Sequence, residues 1–292
     1  MSFAMTYSII GFDPESGAVG GAVQSKFPGV ASIVLHGDAR AGMIHTQAFS
    51  NPDHGRDGLD LMRLGATPED AIAILTRSDA ASGQRQIAAM GLDGSAAFHT
   101  GAEIAGWLGV SGGLAGTHCV AIGNSLSNDG VLRAMTTGFE EASGDLAERL
   151  ITALAAGRDA GGEFRGQQAA GVLVVKAGGG YGGRSGRMVD ISVYDHDQPI
   201  DELARCYQLH KLSYFPSDPT KVRPIDEATA AYLKGVLKRG GLLDQPTANG
   251  WGEAEIAAMA RFMGQENYDN RIRDDALIDE EVLADIKAKH GT

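Results

Sequence analysis

Glycine is spread unevenly along this chain, and that asymmetry constrains its architecture more than any other feature. Of 41 glycines in 292 residues, 34 precede Pro216, while the 77 residues from Pro216 onward hold 7. The first part is therefore about 16% glycine, roughly twice ordinary usage. It has neither the three-residue period of collagen nor the composition of a linker, because apolar runs interrupt it throughout. Charge runs the other way, with 38 charged side chains in the first 215 residues and 24 in the last 77. The junction reads SYFPSDPTKVRP, whose prolines suit an extended connector. The division predicts two domains, residues 1–215 and residues 216–292.

Local patterns in the first part alternate between strands and helices. Thr6 to Phe12 and Val19 to Ser25 flank the turn formers of DPESG and read as a hairpin. Ile33 to Leu35 and Met43 to Thr46 are further strand segments. Thr67, Pro68, Glu69 and Asp70 open a helix with a cap, a first-position proline and an acidic first turn. Gln86 to Leu92 and Ser95 to His99 surround Asp93-Gly94 as a second hairpin. His118 to Ile122 reads as a buried strand, then Val131 to Ala142 and Leu146 to Ala156 as helices. Ala169 to Val175 and Met188 to Tyr194 are strands, and Ile200 to Leu212 a helix. Hairpins with helices in blocks indicate antiparallel sheets rather than β-α-β units. Two stacked sheets with helices outside accommodate the order. The tail carries three amphipathic helices, Asp226 to Arg239, Glu253 to Met263 and Asp279 to Lys289.

Charge and hydropathy exclude several function classes. A net charge of −12 lacks the basic footprint of a nucleic-acid binder. No apolar stretch approaches the ~18 residues of a membrane span. MSFAMTYSII has neither the basic region nor the long apolar core of a signal peptide, so the expectation is a soluble cytoplasmic protein. Cys119 and Cys206 fit no zinc or redox spacing and read as free thiols. GVSGG (Gly109 to Gly113) matches a nucleophile-elbow pattern at Ser111, but LAGTH after it makes a poor helix, so it reads as a glycine-rich loop. GGGYGG (Gly178 to Gly183) runs on into a strand, leaving no helix N-terminus for a pyrophosphate; it reads as a hairpin tip. Asp195-His196-Asp197, ahead of Pro199, reads as a solvated turn. No metal and no cofactor are expected.

One constellation can carry chemistry. Thr6 heads the first strand, and a threonine at a chain start can use its own α-amine as general base. That requires a free amine at Thr6, because a peptide nitrogen cannot accept the proton. The hairpin returns the chain to Ser25-Lys26, where the Lys26 charge can lower the pKa of the amine or hydroxyl.

TYSIIGFDPESGAVGGAVQSKFPGV, HTQAFSNPDHGRDGLDLM, RQIAAMGLDGSAAFHTGAEIAGW, AIGNSL, LAERLITALAAGRDAGGEFRGQQAAGVLVV and VDISVYDHDQPIDELARCYQLHKL together resemble the bacterial domain-of-unknown-function family 1028. The resemblance runs collinearly from about Thr6 to Leu212. That family is grouped with the N-terminal nucleophile hydrolases, so the resemblance implies a four-layer αββα sandwich, an α+β fold, with a small all-helical module behind it. It implies that Thr6 is the nucleophile of an amide-cleaving hydrolase and that Ser25 and Lys26 assist it. Asn124 is implied as an oxyanion donor, and Gln47, His99, Arg165 and Gln168 as pocket residues, Arg165 suiting a substrate carboxylate. A buried hydrogen-bonding role is the alternative for each. Ala169 stands where the family usually has serine, and Glu163 where aspartate is common. TAAYLKGVLKRGGLL and WGEAEIAAMARFMGQENYDNRIRDDALIDEEVLADI resemble a peptidoglycan-binding module over roughly residues 220–288.

Met1 to Met5 precede Thr6. The chain is then an uncleaved precursor, or Met5 is its natural start, or Thr6 does not use its amine. The leading expectation is a small-molecule amide hydrolase acting after that amine is exposed. A non-catalytic ligand- or polymer-binding protein that retains the fold is the second reading. The third is a scaffold that assembles through its tail. Exposed sheet edges allow a homodimer. With no export signal, cell-wall contact has no evident route, and the tail reads equally as a helical appendage for packing.

Overall fold

The computed structural model describes residues 5–248 and 250–291; Met1 to Ala4, most of the segment ahead of Thr6, lie outside the described residues. In chain order the elements are β1 (Thr6–Asp13), β2 (Ala18–Ser25), α1 (Ala31–Val34), β3 (Leu35–Asp38), β4 (Gly42–Ala48), α2 (Asp53–Arg63), α3 (Pro68–Ser78), β5 (Arg85–Gly91), β6 (Ala96–Thr100), β7 (Val110–Gly116), β8 (Cys119–Leu126), α4 (Gly130–Glu141), α5 (Leu146–Asp159), β9 (Ala169–Val175), β10 (Arg187–Val193), α6 (Pro199–Tyr214), β11 (Val222–Pro224), α7 (Glu227–Arg239), α8 (Glu253–Gln265), β12 (Leu277–Asp279) and α9 (Glu280–His290). The chain divides into two units within α6, the first ending at Tyr207 and the second starting at Gln208.

In the first unit every strand pairing is antiparallel. One sheet has the order β10-β9-β2-β1-β8-β7 and the other β3-β4-β5-β6. α4 and α5 cover the outer face of the first sheet, and α2 and α3 that of the second, giving four layers in the order α, β, β, α. Strand alternation sorts the side chains between layers. On β1, the Tyr7 hydroxyl donates to the Leu154 carbonyl of α5 at 3.4 Å, while Ser8 and Ile10 point at the opposing sheet. Ile10, Val19, Val23, Met43, Met90, Ile122 and Leu173 fill the space between the sheets. The strand glycines permit the close approach of layers: a Cβ on Gly11 would stand 2.5 Å from the Phe139 ring of α4.

Two expectations need correction, and one helix was not expected. The strand placed at Ile33 to Leu35 is mostly the short helix α1, and β3 starts only at Leu35. The stretch Gly109 to Gly113, read as a loop, enters edge strand β7, where a single paired neighbour suffices. Helix α2 had no sequence signal, because Gly55 and Gly58 interrupt it, each costing about 1 kcal/mol in helix propensity. Packing demands both: a Cβ at Gly55 would sit 2.1 Å from the His36 ring, and one at Gly58 2.3 Å from Ile44.

In the second unit α7, α8 and α9 close around Leu233, Val236, Leu237, Phe262, Met263, Val282 and Ile286, with β11 and β12 paired beside them. No helix among the described residues is long and apolar enough to cross a membrane.

Candidate active site

Two rows of polar side chains face each other between the sheets of the first unit. Register places Ser25, Thr6 and Asn124 side by side across β2, β1 and β8. It places Gln47, Gln86 and Thr100 side by side across β4, β5 and β6. All except Thr100 are essentially excluded from solvent. The Ser8 hydroxyl donates to Gln47 Oε1 at 2.6 Å, and Gln47 Nε2 donates to Gln86 Oε1 at 2.8 Å and to the Thr6 carbonyl at 3.3 Å. Gln86 Nε2 donates to Thr100 Oγ1 and the Gly112 carbonyl, both at 3.0 Å, and to the Gly123 carbonyl at 2.9 Å. Asn124 Nδ2 donates to Gln86 Oε1 at 3.1 Å. Asn124 Oδ1 is buried with no hydrogen-bond partner among the described residues.

A short relay leaves this layer at Thr6. Its Oγ1–H donates to Ser25 Oγ at 3.1 Å, and the Ser25 hydroxyl donates to the Met5 carbonyl oxygen at 2.5 Å. Arg165 Nη2 reaches the same oxygen at 3.4 Å. Arg165 is held by Glu163, whose Oε1 accepts from Arg165 Nε at 2.6 Å while Oε2 accepts from the Lys26 backbone N–H at 2.7 Å. Burial raises the Glu163 pKa, opposed by its bonds to Arg165 and Lys26. The Met5 carbonyl thus carries two donors, one of them cationic, 2.5 Å and 3.4 Å away.

The structure therefore brings together Thr6, Ser25, Gln47 and Asn124, with Arg165 joined to them through the Met5 carbonyl. It does not bring in the rest. His99 points to the outer face of β6, where its Nε2 meets the Ser82 carbonyl at 3.1 Å. Lys26 Nζ donates to the Gln167 carbonyl at 3.1 Å, and Gln168 Nε2 to Asp195 Oδ1 at 2.8 Å. The oxyanion-donor role expected of Asn124 meets a different geometry, since its Nδ2 is engaged by Gln86. Gln86 and Thr100 escaped sequence reasoning, and Glu163 was noted only as a departure from the resembled family, without a role. The signal for Gln86 was the inward alternation Gln86, Ala88, Met90, which sets a polar group on the core face of a strand.

His45 lies two positions before Gln47 on the same inner face of β4. It is fully buried, both ring nitrogens lack partners among the described residues, and burial pushes its pKa down to about 3. Gly21 makes room for it: a Cβ there would lie 2.0 Å from His45 Nε2. No group of three or more His, Cys, Asp or Glu side chains among the described residues converges as a metal site would.

Residues 6–203 match the model of a family described as a family of unknown function, DUF1028. Residues 214–285 match a model described as "Putative peptidoglycan binding domain". Among solved structures, the crystal structure of protein SPO2555 from Silicibacter pomeroyi, itself described by the DUF1028 model, is similar with a TM-score of 0.64 and 34% identity, over 71% of this chain and 89% of that one. The curated proteins contain no match.

Proposed function

The chain belongs to the DUF1028 family, and from that premise we propose that its first unit is an amide-cleaving hydrolase whose nucleophile is Thr6. The relay from Thr6 Oγ1 through Ser25 Oγ to the Met5 carbonyl oxygen carries the reading. It arms the nucleophile and polarises the adjacent amide carbonyl with one chain of protons. Thr6 Oγ1 attacks the Met5 carbonyl carbon, its proton passes to Ser25, and the Ser25 proton passes to the carbonyl oxygen. Arg165, steadied by Glu163, stabilises charge developing on that oxygen. Collapse breaks the Met5–Thr6 C–N bond, the proton returns to the departing nitrogen, and an ester of Thr6 Oγ1 remains. One water hydrolyses the ester, releasing the carboxylate of the leader and freeing the Thr6 α-amine. In later turnovers that amine is the base for Oγ1. Ser25 and Arg165 then receive the carbonyl oxygen of a small amide where Met5 sat.

Intact-mass analysis of the full chain and its Thr6→Ala and Ser25→Ala variants tests the first step. The wild type is expected to lose residues 1–5 and Thr6→Ala to keep them. The chain beginning at Thr6 is then screened against small amides beside its Thr6→Ala counterpart, and equal rates in the two would end the hydrolase reading.

The second unit, by its similarity to the peptidoglycan-binding model, is proposed as a polymer-docking module. Pull-down of the full chain and of a chain lacking residues 216–292 on insoluble peptidoglycan tests this, with equal retention excluding it.

A further inference from the structure

The unsatisfied atom of the buried layer is an acceptor, and main-chain groups fix that identity. Gln86 Nε2 donates to the carbonyls of Gly112 and Gly123, which can only accept. Gln86 Oε1 is therefore the atom that meets Asn124, and Asn124 must offer Nδ2 to it. Gln47 obeys the same logic, with Nε2 on the Thr6 and Ile122 carbonyls and Oε1 taking the Ser8 hydroxyl. An amide whose orientation could otherwise be inverted is thus locked by its neighbours. What Asn124 has left is Oδ1, buried and without a partner among the described residues. The neighbouring orphan, Ser125 Oγ, is a rotating hydroxyl and selects no ligand type. An oxyanion beside Asn124 Oδ1 would be repelled, whereas an N–H donor would remove the cost of a buried, unmade hydrogen bond.

We propose that Asn124 Oδ1 receives the α-amine of Thr6 once the bond to Met5 is cut. The inference rests on the reading of Thr6 as a nucleophile freed from its leader. Thr6 and Asn124 are register partners on adjacent strands and face the same layer. As a peptide nitrogen, Thr6 carries one N–H; as a neutral amine it carries two, and as an ammonium three. Cleavage therefore creates new donors beside an acceptor that has none. Accepting one amine N–H turns the nitrogen lone pair toward Oγ1, the orientation a general base needs. Gln86 is a positioning residue, because it holds the other arm of Asn124. The structure thus assigns Asn124 to the base of the nucleophile rather than to the oxyanion.

The test is a titration without substrate, by NMR, of the chain beginning at Thr6 with isotope-labelled threonine and asparagine. The Asn124 side-chain resonances are expected to move with the same midpoint as the Thr6 amine. Asn124→Asp is expected to raise that midpoint by about one unit or more, a tenfold or greater gain in proton affinity from the nearby carboxylate. Asn124→Leu is expected to lower it. An Asn124 resonance indifferent to the amine overturns the proposal in the wild type, even if no variant folds. Amide hydrolysis measured in parallel separates the two readings. Coupled titration without hydrolysis overturns the hydrolase alone, and hydrolysis without coupling overturns the role of Asn124 alone.

Discussion

Each unit buries a polar network, and the two are built on opposite principles. Between the sheets of the first unit lie neutral amides and hydroxyls, Ser25, Thr6, Asn124, Gln47, Gln86 and Thr100, and one acceptor among them is left open. In the second unit the buried Arg271 guanidinium donates to Asp279 at 2.8 Å, Glu281 at 2.9 Å, and the carbonyls of Lys211 and Phe215 at 3.0 and 3.1 Å. Each of its three nitrogens donates, and four of its five N–H groups are used. A buried ionic knot holds structure through paired charges, while an open neutral layer can take part in a reaction without first releasing a charge.

The largest effect is expected where charge is buried. Arg271→Leu strips Asp279 and Glu281 of their common partner and should cost about 3–5 kcal/mol, read as the loss of denaturant resistance followed by Trp251 fluorescence. A cost near zero would mean that the knot is no more than surface pairing. Gln86→Leu should cost less, roughly 1–3 kcal/mol, by leaving Asn124 Nδ2 unpaired and removing the bonds that Gln86 makes to Gln47, Thr100 and the Gly112 and Gly123 carbonyls. It should also slow leader loss about a hundredfold if the layer positions Thr6. A destabilised variant that still sheds its leader at the wild-type rate would reduce the layer to packing. Gly21→Ala sets a methyl into the His45 ring, and overpacking of this kind costs about 1–3 kcal/mol. Pairing it with His45→Ala should recover much of that loss in a double-mutant cycle.

The finest contrast is in acid. Burial holds His45 neutral to about pH 3, and also lowers His36 and His54. The unfolded chain takes up those protons near pH 6.5, so the contribution of these histidines to the first unit is full above that pH and is lost as pH drops from 6.5 toward 3. In the second unit burial works to raise the Glu281 carboxyl, but hydrogen bonds from Lys221 and Arg271 outweigh it and bring it to about 2. Its contribution is complete above pH 4.5 and lost on the way down to 2. Trp107 reports the first unit and Trp251 the second, so variants Trp251→Phe and Trp107→Phe should show the first unit weakening at the higher pH. A common onset would erase the distinction.

Elements that announce their own ends were legible in the sequence. The Thr67 cap accepts from the Asp70 N–H, and Asp145 with Glu148 forms the capping box of α5. The β1–β2 hairpin follows its turn residues, and its register sets Thr6 beside Ser25. What stayed hidden depends on partners far along the chain. The glycines of α2 contradict helix propensity until His36 and Ile44 are seen against them. Thr6 and Ser25 stood out at the start and end of the first hairpin, and Gln47 and Asn124 through a resemblance, whereas Gln86 belongs to no motif and acquires meaning only from the opposite sheet. Nor could any pattern show which arm of Asn124 is taken, because carbonyls of β7 and β8, acting through Gln86, decide it.

The two facing rows draw their members from positions 6, 25 and 124 on one side and 47, 86 and 100 on the other. No hairpin or helix-bound fragment contains both rows, so a nascent chain cannot assemble them piecemeal. On the proposed mechanism, reaction at Thr6 must wait until the chain has been made beyond Arg165 and β9 and both sheets have closed. The architecture thus works as an interlock: the state of the Met5–Thr6 bond would report, molecule by molecule, whether folding of this unit has finished.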